Sequence, residues 1–268
     1  MDKLLTVVIP TFNRKILTDI AVNSVVTTFH SLVEIVVVDD CGAEAYNFGK
    51  RNSSGVEVKI LRTESNVGAG IAREVGINQS SGTFIAFLDS DDSYDIGWID
   101  NVIGFLQDFQ DKKTGSIFIS GIAVGQSKIT GVVRSLISLT PNFMHLSIYR
   151  FIVIFFNPFY TPSIVLSREL CKFKKELRFC EDYFTTANAL FFTDYLFLPK
   201  MVACRLGRPI NSSGGESANA VMMSRGEMRV RRSFFVEKKI ALLYKLFIPA
   251  GMTYQLLRIA IKKIMRVV

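Results

Sequence analysis

Three carboxylates, Asp89, Asp91 and Asp92, fall within four positions directly after the apolar run 83–88. Negative charge packed this closely at the end of a buried segment calls for a cation. Magnesium or manganese fits, because a hard divalent ion takes one or two protein carboxylates and completes its shell with water and phosphate oxygens. The chain's two histidines, His30 and His145, are not beside the cluster, so an imidazole-built zinc centre is not indicated. Asn66-Val67-Gly68-Ala69-Gly70 follows another apolar run and opens a helical pattern, where unpaired backbone N–H groups and the helix dipole favour an anion. These residues together describe a metal-diphosphate site. Gly68, Gly70 and Arg73 also approach a dinucleotide fingerprint, with Asp89 following at a fitting distance. Arg73 replaces the third glycine, however, and a dinucleotide has no need of a carboxylate cluster, so a dehydrogenase is set aside.

The elements that must position these groups are legible as apolar runs rich in Val and Ile at 4–9, 34–38, 56–61 and 83–88. They are near-continuous, as strands buried on both faces are. Helical patterns lie at 15–27, 68–79 and 96–109, and a later one opens at Cys180 and runs to Leu190. Glu181 and Asp182 stand in the first turn of that last helix, where the dipole favours acids. Such alternation predicts an α/β fold with an open, mostly parallel sheet that binds ligands beyond the carboxyl ends of its strands. The loops at that rim are 10–14, 39–42, 66–68 and 89–92, and they carry five aspartates.

At 268 residues, 49% hydrophobic and 21% charged, the chain can bury a sizeable core in one large domain with an appendage. Its four cysteines form no C-x-x-C pair, which argues against a disulfide framework and for a reducing compartment. The start lacks a basic-then-apolar leader layout. The longest uncharged stretch, 151–167, contains Pro158 and Pro162, so no spanning helix is expected and the cytoplasm is the expected location. Segment 143–160 is rich in Phe and Tyr; core packing or a helix under the sheet is the first reading, and an apolar acceptor wall the second.

The formal charge of +8 is uneven, because residues 224–268 carry 11 Lys/Arg against 2 Glu and the rest of the chain is close to neutral. From 233 onward two amphipathic segments flank Pro249-Ala250-Gly251. Arg258, Lys262 and Arg266 recur every four residues, with Leu257, Ile261, Ile264, Met265 and Val268 on another face. That is the pattern of a helix lying on an anionic membrane surface. The acidic rim and the interleaved apolar stripe argue against nucleic acid as the partner.

Several of these residues also form an ordered series. Ile9-Pro10-Thr11-Phe12-Asn13-Arg14, Val37-Val38-Asp39-Asp40, Asn66-Val67-Gly68 with Ala72-Arg73-Glu74, Phe87-Leu88-Asp89-Ser90-Asp91-Asp92 and Glu181-Asp182 resemble the motifs of family-2 inverting glycosyltransferases with the GT-A fold. The resemblance covers about residues 4–190 and implies a Rossmann-like, mostly parallel sheet flanked by helices. It divides the chain into a GT-A domain over 1–232, with nucleotide-binding and acceptor-binding halves meeting near 110, and a basic amphipathic segment over 233–268.

The resemblance implies a UDP-sugar donor, with Mn2+ or Mg2+ as cofactor. Pro10, Phe12 and Arg14 would line the nucleotide pocket, Thr11 and Asn13 would shape its turn, and Asp40, supported by Asp39, would accept a hydrogen bond from uracil. Arg73 and the Asn66 to Gly68 turn would close around the nucleotide. In the DxD motif with Ser90, Asp89 would face ribose and metal and Asp91 would be the main metal ligand. Asp182 would be the catalytic base and Glu181 would place the acceptor. The resembled family often places an aromatic, arginine or histidine-containing element after the last sheet strand to hold the diphosphate; this chain offers arginines there without a histidine, so Arg205 stands as the clamp, and 214–217 as either a flap over UDP or a linker. With the basic tail, the implied acceptor is a lipid-diphosphate-linked saccharide in bacterial surface-polysaccharide assembly, handled at the inner face of the cytoplasmic membrane. The competing expectation is a catalytically silent sugar-nucleotide or membrane-surface binding module on the same fold.

Overall fold

The computed structural model describes residues 3–112, 114–125, 146–207, 220–237, 240 and 242–264. Four strands form where the apolar runs predict them: β1 (Leu5–Thr11), β2 (Val33–Asp39), β3 (Glu57–Arg62) and β4 (Phe84–Phe87). β1 pairs in parallel with both β2 and β4, and β2 pairs in parallel with β3. The first half of the sheet is therefore wound outward from β1 to β3 and then back to β4 on the other side of β1. That reversal opens a crevice between the loops after β1 and β4.

Side chains in a strand point alternately to opposite faces, and the central strands use both. Leu5, Val7 and Ile9 of β1 join Val33, Ile35 and Val37 of β2 in a core with Trp98, Ile103 and Leu106. These last come from α3 (Trp98–Lys112), and Ala21 and Val22 of α1 (Lys15–Asn23) share that face. Val8 points the other way, towards Ile77 of α2 (Ala69–Asn78). Gly76 permits the approach of α2, since an added Cβ would lie 2.7 Å from Val8 Cγ1 and 3.1 Å from Val38 Cγ2. β3 departs from the expected burial on both faces: it ends the sheet, and Glu57, Lys59 and Arg62 are exposed.

The second half brings an antiparallel strand into the sheet. β8 (Ile164–Ser167) lies between β4 and β6 (Ile117–Ser120), antiparallel to both, and β9 (Tyr195–Phe197) closes the order β3-β2-β1-β4-β8-β6-β9. A three-stranded sheet, β5 (Ser93–Tyr94), β10 (Val202–Arg205) and β7 (Ile122–Val124), sits beside the DxD loop. α4 (Leu146–Phe155), α5 (Glu181–Phe192) and α6 (Ala220–Val236) contribute Val153, Phe184 and Val230 to the core face opposite α3. In the aromatic segment, Tyr149 and Phe159 stack at 5.3 Å between centroids and Phe159 meets Phe118 at 5.1 Å. Those rings are core, as the first reading of that segment expected.

α7 (Leu242–Ile264) is continuous through Pro249, which corrects the expected pair of segments divided at 249–251. Pro249 is exposed, so water can serve the carbonyl that the proline ring leaves without an N–H partner. Position 232, the expected boundary between domain and tail, lies inside α6, with Val230 and Phe234 in the same core cluster on either side of it. Leu242, Leu246, Leu256 and Leu257 of α7 are exposed. The expected stripes at 258–268 and the flap at 214–217 lie outside the residues whose side chains are described. No helix among the described residues is long and apolar enough to cross a membrane.

Candidate active site

The crevice beyond β1 and β4 is a cavity of about 460 Å³. Pro10, Thr11, Phe12 and Arg14 line it from the loop after β1, and Asp40 from the loop after β2. Asn66, Gly68 and Arg73 enter from the loop and helix after β3, and Asp89, Ser90 and Asp91 from the loop after β4. Glu181 and Asp182 complete the wall from the first turn of α5. Thirteen of the expected site residues, drawn from five separate segments, thus converge on one cavity.

Two adjacent aspartates serve different ends. Asp39 is buried and turns away from the cavity: its carboxylate accepts from Gly42 N and Tyr46 N, each at 3.0 Å, and pairs with Arg62. It braces the loop beside Asp40 and is not among the lining residues. Asp40 accepts from Val67 N at 2.8 Å and Gly68 N at 2.8 Å, one amide on each oxygen, with Thr63 Oγ1 at 3.0 Å. The carboxylate therefore shapes the Asn66 to Gly68 turn as well as facing the cavity. Gly68, at φ +89, supplies a backbone that L side chains rarely adopt. Asp39→Ala is expected to cost roughly 2–4 kcal/mol, because two buried amides lose their acceptor. Thermal unfolding of the variant measures it.

Asn13 also stands outside the lining. At φ +54 it turns the chain, and its Oδ1 accepts from Ala43 N at 2.7 Å. Arg14 reaches back to Asp91, Nη1 to Oδ1 at 3.4 Å. Asp92 is buried and accepts from Gly207 N at 2.9 Å. Gly207 sits so close to this loop that an added Cβ would lie 1.7 Å from the Asp91 carbonyl oxygen. Asp92 thus fastens the DxD loop to the strand end at β10, a role the sequence did not reveal. Arg205, expected as a diphosphate clamp, is instead paired with Asp95 at 2.8 Å and lies outside the cavity lining.

Asp182 is partly buried in the cavity wall. Burial pushes its carboxyl above the ordinary range; the Tyr183 amide and Arg73 pull it down, and Asp89 adds to the rise. A carboxylate held in this way is a better proton acceptor than a solvated one. Sequence reasoning missed Thr161, Arg178, Phe179 and Met223, which also line the cavity. Arg178 donates to Asn66 Oδ1 at 2.7 Å, and its place three residues before Glu181 was the one available signal.

Among the described residues no three His, Cys, Asp or Glu side chains converge as a protein-only cage. A magnesium or manganese ion bound with a nucleotide does not require one, since one or two carboxylates suffice when phosphates and water supply the rest. Asp89 and Asp91, on one loop facing one cavity, fit that requirement.

A parallel-wound sheet with a carboxylate-rich cleft at its switch point, closed by an antiparallel strand and an acid-bearing helix, defines the chain as a GT-A fold. Staphylococcus aureus TarS (residues 1–349) shares it, with a TM-score of 0.70 at 19% identity over 94% of this chain and 71% of that one. The TarS complex with UDP-GlcNAc matches at a TM-score of 0.68 and 17% identity, covering 94% and 72%. The family model described as glycosyl transferase family 2 matches residues 6–154, more than half of the chain, and the chain belongs to that family.

Among curated relatives, Escherichia coli WfgD, a UDP-Glc:alpha-D-GlcNAc-diphosphoundecaprenol beta-1,3-glucosyltransferase, is 33% identical over 100 residues, 37% of this chain and 38% of that protein. Erwinia amylovora AmsB, an amylovoran biosynthesis glycosyltransferase, is 26% identical over 190 residues, 66% and 59%. The aligned segments span less than two thirds of either relative.

Proposed function

We propose that this chain is an inverting, metal-dependent hexosyltransferase that moves glucose, galactose or an N-acetylhexosamine from a UDP-sugar to a hydroxyl of a lipid-diphosphate-linked saccharide in bacterial polysaccharide assembly. The observation that carries the proposal is the presence of Asp182 in the same cavity as Asp89 and Asp91. A base and a diphosphate-metal locus lining one cavity are what a single displacement needs. The named donor and acceptor of WfgD support the choice of UDP and of a lipid diphosphate.

In this reading Phe12, Arg14, Asp40 and the Asn66 to Gly68 turn hold the nucleoside diphosphate, and Glu181 orients the acceptor. Asp182 takes the acceptor hydroxyl proton as the oxygen attacks the anomeric carbon. UDP leaves from the opposite face, so one displacement inverts the configuration without a protein nucleophile. Asp89 and Asp91 would hold the divalent ion, which when bound supplies Lewis-acid stabilisation of the leaving diphosphate. A screen of UDP-sugars against synthetic lipid-diphosphate monosaccharides, with and without manganese, tests donor, acceptor and metal together. Absence of transfer from every UDP-sugar would defeat the reading.

A pH profile follows from the environment of Asp182. The base must be ionised to work, and its carboxyl is held above the usual range. At saturating substrates kcat should therefore fall as pH drops through a limb lying above the ordinary aspartate value of about 3.9. A flat profile through the acid range would remove a raised carboxyl from the rate-limiting step.

The exposed leucines of α7, beside a C-terminal charge excess, support peripheral attachment to an anionic membrane. Flotation with phosphatidylglycerol vesicles should carry the protein, and Leu242→Glu with Leu246→Glu should release it. Equal flotation of both forms would sink that attachment surface.

A further inference from the structure

α2 and α5 meet beneath the cavity, at Gly70 and Glu181. A Cβ added to Gly70 would lie 2.5 Å from Glu181 Cγ, so the helices approach as closely as a glycine allows. One turn along α2, Arg73 spans the junction. Its Nη2 donates to Asp89 Oδ1 at 2.6 Å and its Nη1 to Glu181 Oε1 at 3.2 Å. The residue is 4% exposed, and its Nε has no hydrogen-bond partner among the described residues. The guanidinium is thus committed to two carboxylates from separate elements, the loop after β4 and the first turn of α5. Asp182 is also within its field.

We infer that Arg73 is a positioning residue, locking Asp89 on the donor side to Glu181 on the acceptor side and so setting the spacing between the leaving diphosphate and the base Asp182. The inference rests on the functional reading given above, and it replaces the expectation that Arg73 chiefly closes around the nucleotide. The fork geometry is the reason for an arginine here. A lysine would restore the charge, but its N–H groups all radiate from one nitrogen and cannot reproduce the planar fork whose two separate nitrogens meet carboxylates on separate elements. Without the bridge, Asp89, Glu181 and Asp182 crowd together as uncompensated acids in a half-buried wall.

The test uses the full chain. Arg73→Lys should lower kcat about 100-fold, the scale of a misplaced reacting group, while donor KM and UDP affinity change little. Glu181→Gln should lower kcat less. The double variant should be no worse than Arg73→Lys alone, because both changes break one bridge. A rise in donor KM or a loss of UDP affinity with kcat intact would overturn the inference and make Arg73 a nucleotide contact. Multiplying penalties in the double variant would overturn it too.

A substrate-free arm reads the bridge directly. In Arg73→Lys, amide hydrogen exchange should rise at both 89–92 and 181–184, and unchanged exchange at both would overturn the inference. That arm reports even if the wild-type protein transfers no sugar from any UDP donor, an outcome that defeats the functional reading and not the bridge. Should Arg73→Lys fail to fold, Glu181→Gln decides the matter in the same exchange measurement, with raised exchange at 89–92 expected and unchanged exchange there overturning the inference.

Discussion

Asp182→Asn is expected to lower transfer by roughly 10³ to 10⁴-fold, near the upper end of what a positioned general base contributes, and to leave UDP binding intact. Asparagine has nearly the same shape, and its amide oxygen can still accept the 2.7 Å bond from Tyr183 N. The wall of the cavity is therefore preserved. What disappears is the capacity to take a proton, together with one negative charge near Asp89 and Arg73. Burial first, and then Asp89, disfavours the charged carboxylate by more than the Tyr183 amide and Arg73 favour it, so the variant should be no less stable than the parent. Calorimetric titration with UDP and steady-state transfer assays, run on the same preparation, separate the two effects. Turnover within tenfold of wild type would remove Asp182 from the chemistry and shift suspicion to Glu181, its neighbour in the same helical turn. Lost UDP binding would make Asp182 a structural acid. A silent binding module would show intact UDP binding and no transfer in either form.

The positions of these acids were legible in the sequence because parallel strands announce their ends. β1 and β2 are buried on both faces, so their apolar runs stop where the chain leaves the sheet, and polar residues directly afterward fall at the ligand-binding rim. β3 was less faithful to that rule because an edge strand exposes alternate residues. The antiparallel β8 and the short strands β5, β7 and β10 left no usable pattern: they run two to four residues, too short for periodicity to show. The two segments expected to flank Pro249-Ala250-Gly251 are one helix from Leu242 to Ile264, because on an exposed helix face solvent can compensate for the bond that proline removes.

Partnerships within the site were less legible than membership of it. Asp39 and Asp40 are neighbours in sequence, yet one turns inward to Gly42, Tyr46 and Arg62 and the other to the cavity. Alternation of side chains makes such a division natural, but it does not say which residue takes which side once the strand has ended. Arg205 is expected at the cleft from the family resemblance, by its place after the last strand, and the structure gives it to Asp95. Asp92 belongs to the carboxylate cluster by spacing and to the Gly207 amide by geometry. Arg73 was the opposite case: the motif placed it at the cleft, and only the fold shows that one outer nitrogen holds Asp89 while the other reaches Glu181 on α5.

The division between Asp91 and Asp92 yields the second large effect. Asp91→Asn should reduce kcat/KM by at least about 100-fold, since a Lewis acid at a leaving diphosphate supplies several kcal/mol and each 1.36 kcal/mol is tenfold. It should also abolish the dependence of UDP affinity on manganese, a readout that needs no acceptor. Asp92→Asn, one residue away, keeps an oxygen for the Gly207 amide and should leave manganese-linked UDP binding close to the parent. The contrast matters more than either value, because both substitutions remove one charge from the same loop. If general electrostatics governed the site, the two would behave alike, screened equally by added salt. If Asp91 is the ligand, chelator should bring the parent down to the level of Asp91→Asn and leave that variant unchanged. Full activity of the parent in excess chelator would end the metal-dependent reading, and indistinguishable variants would end the assignment of Asp91.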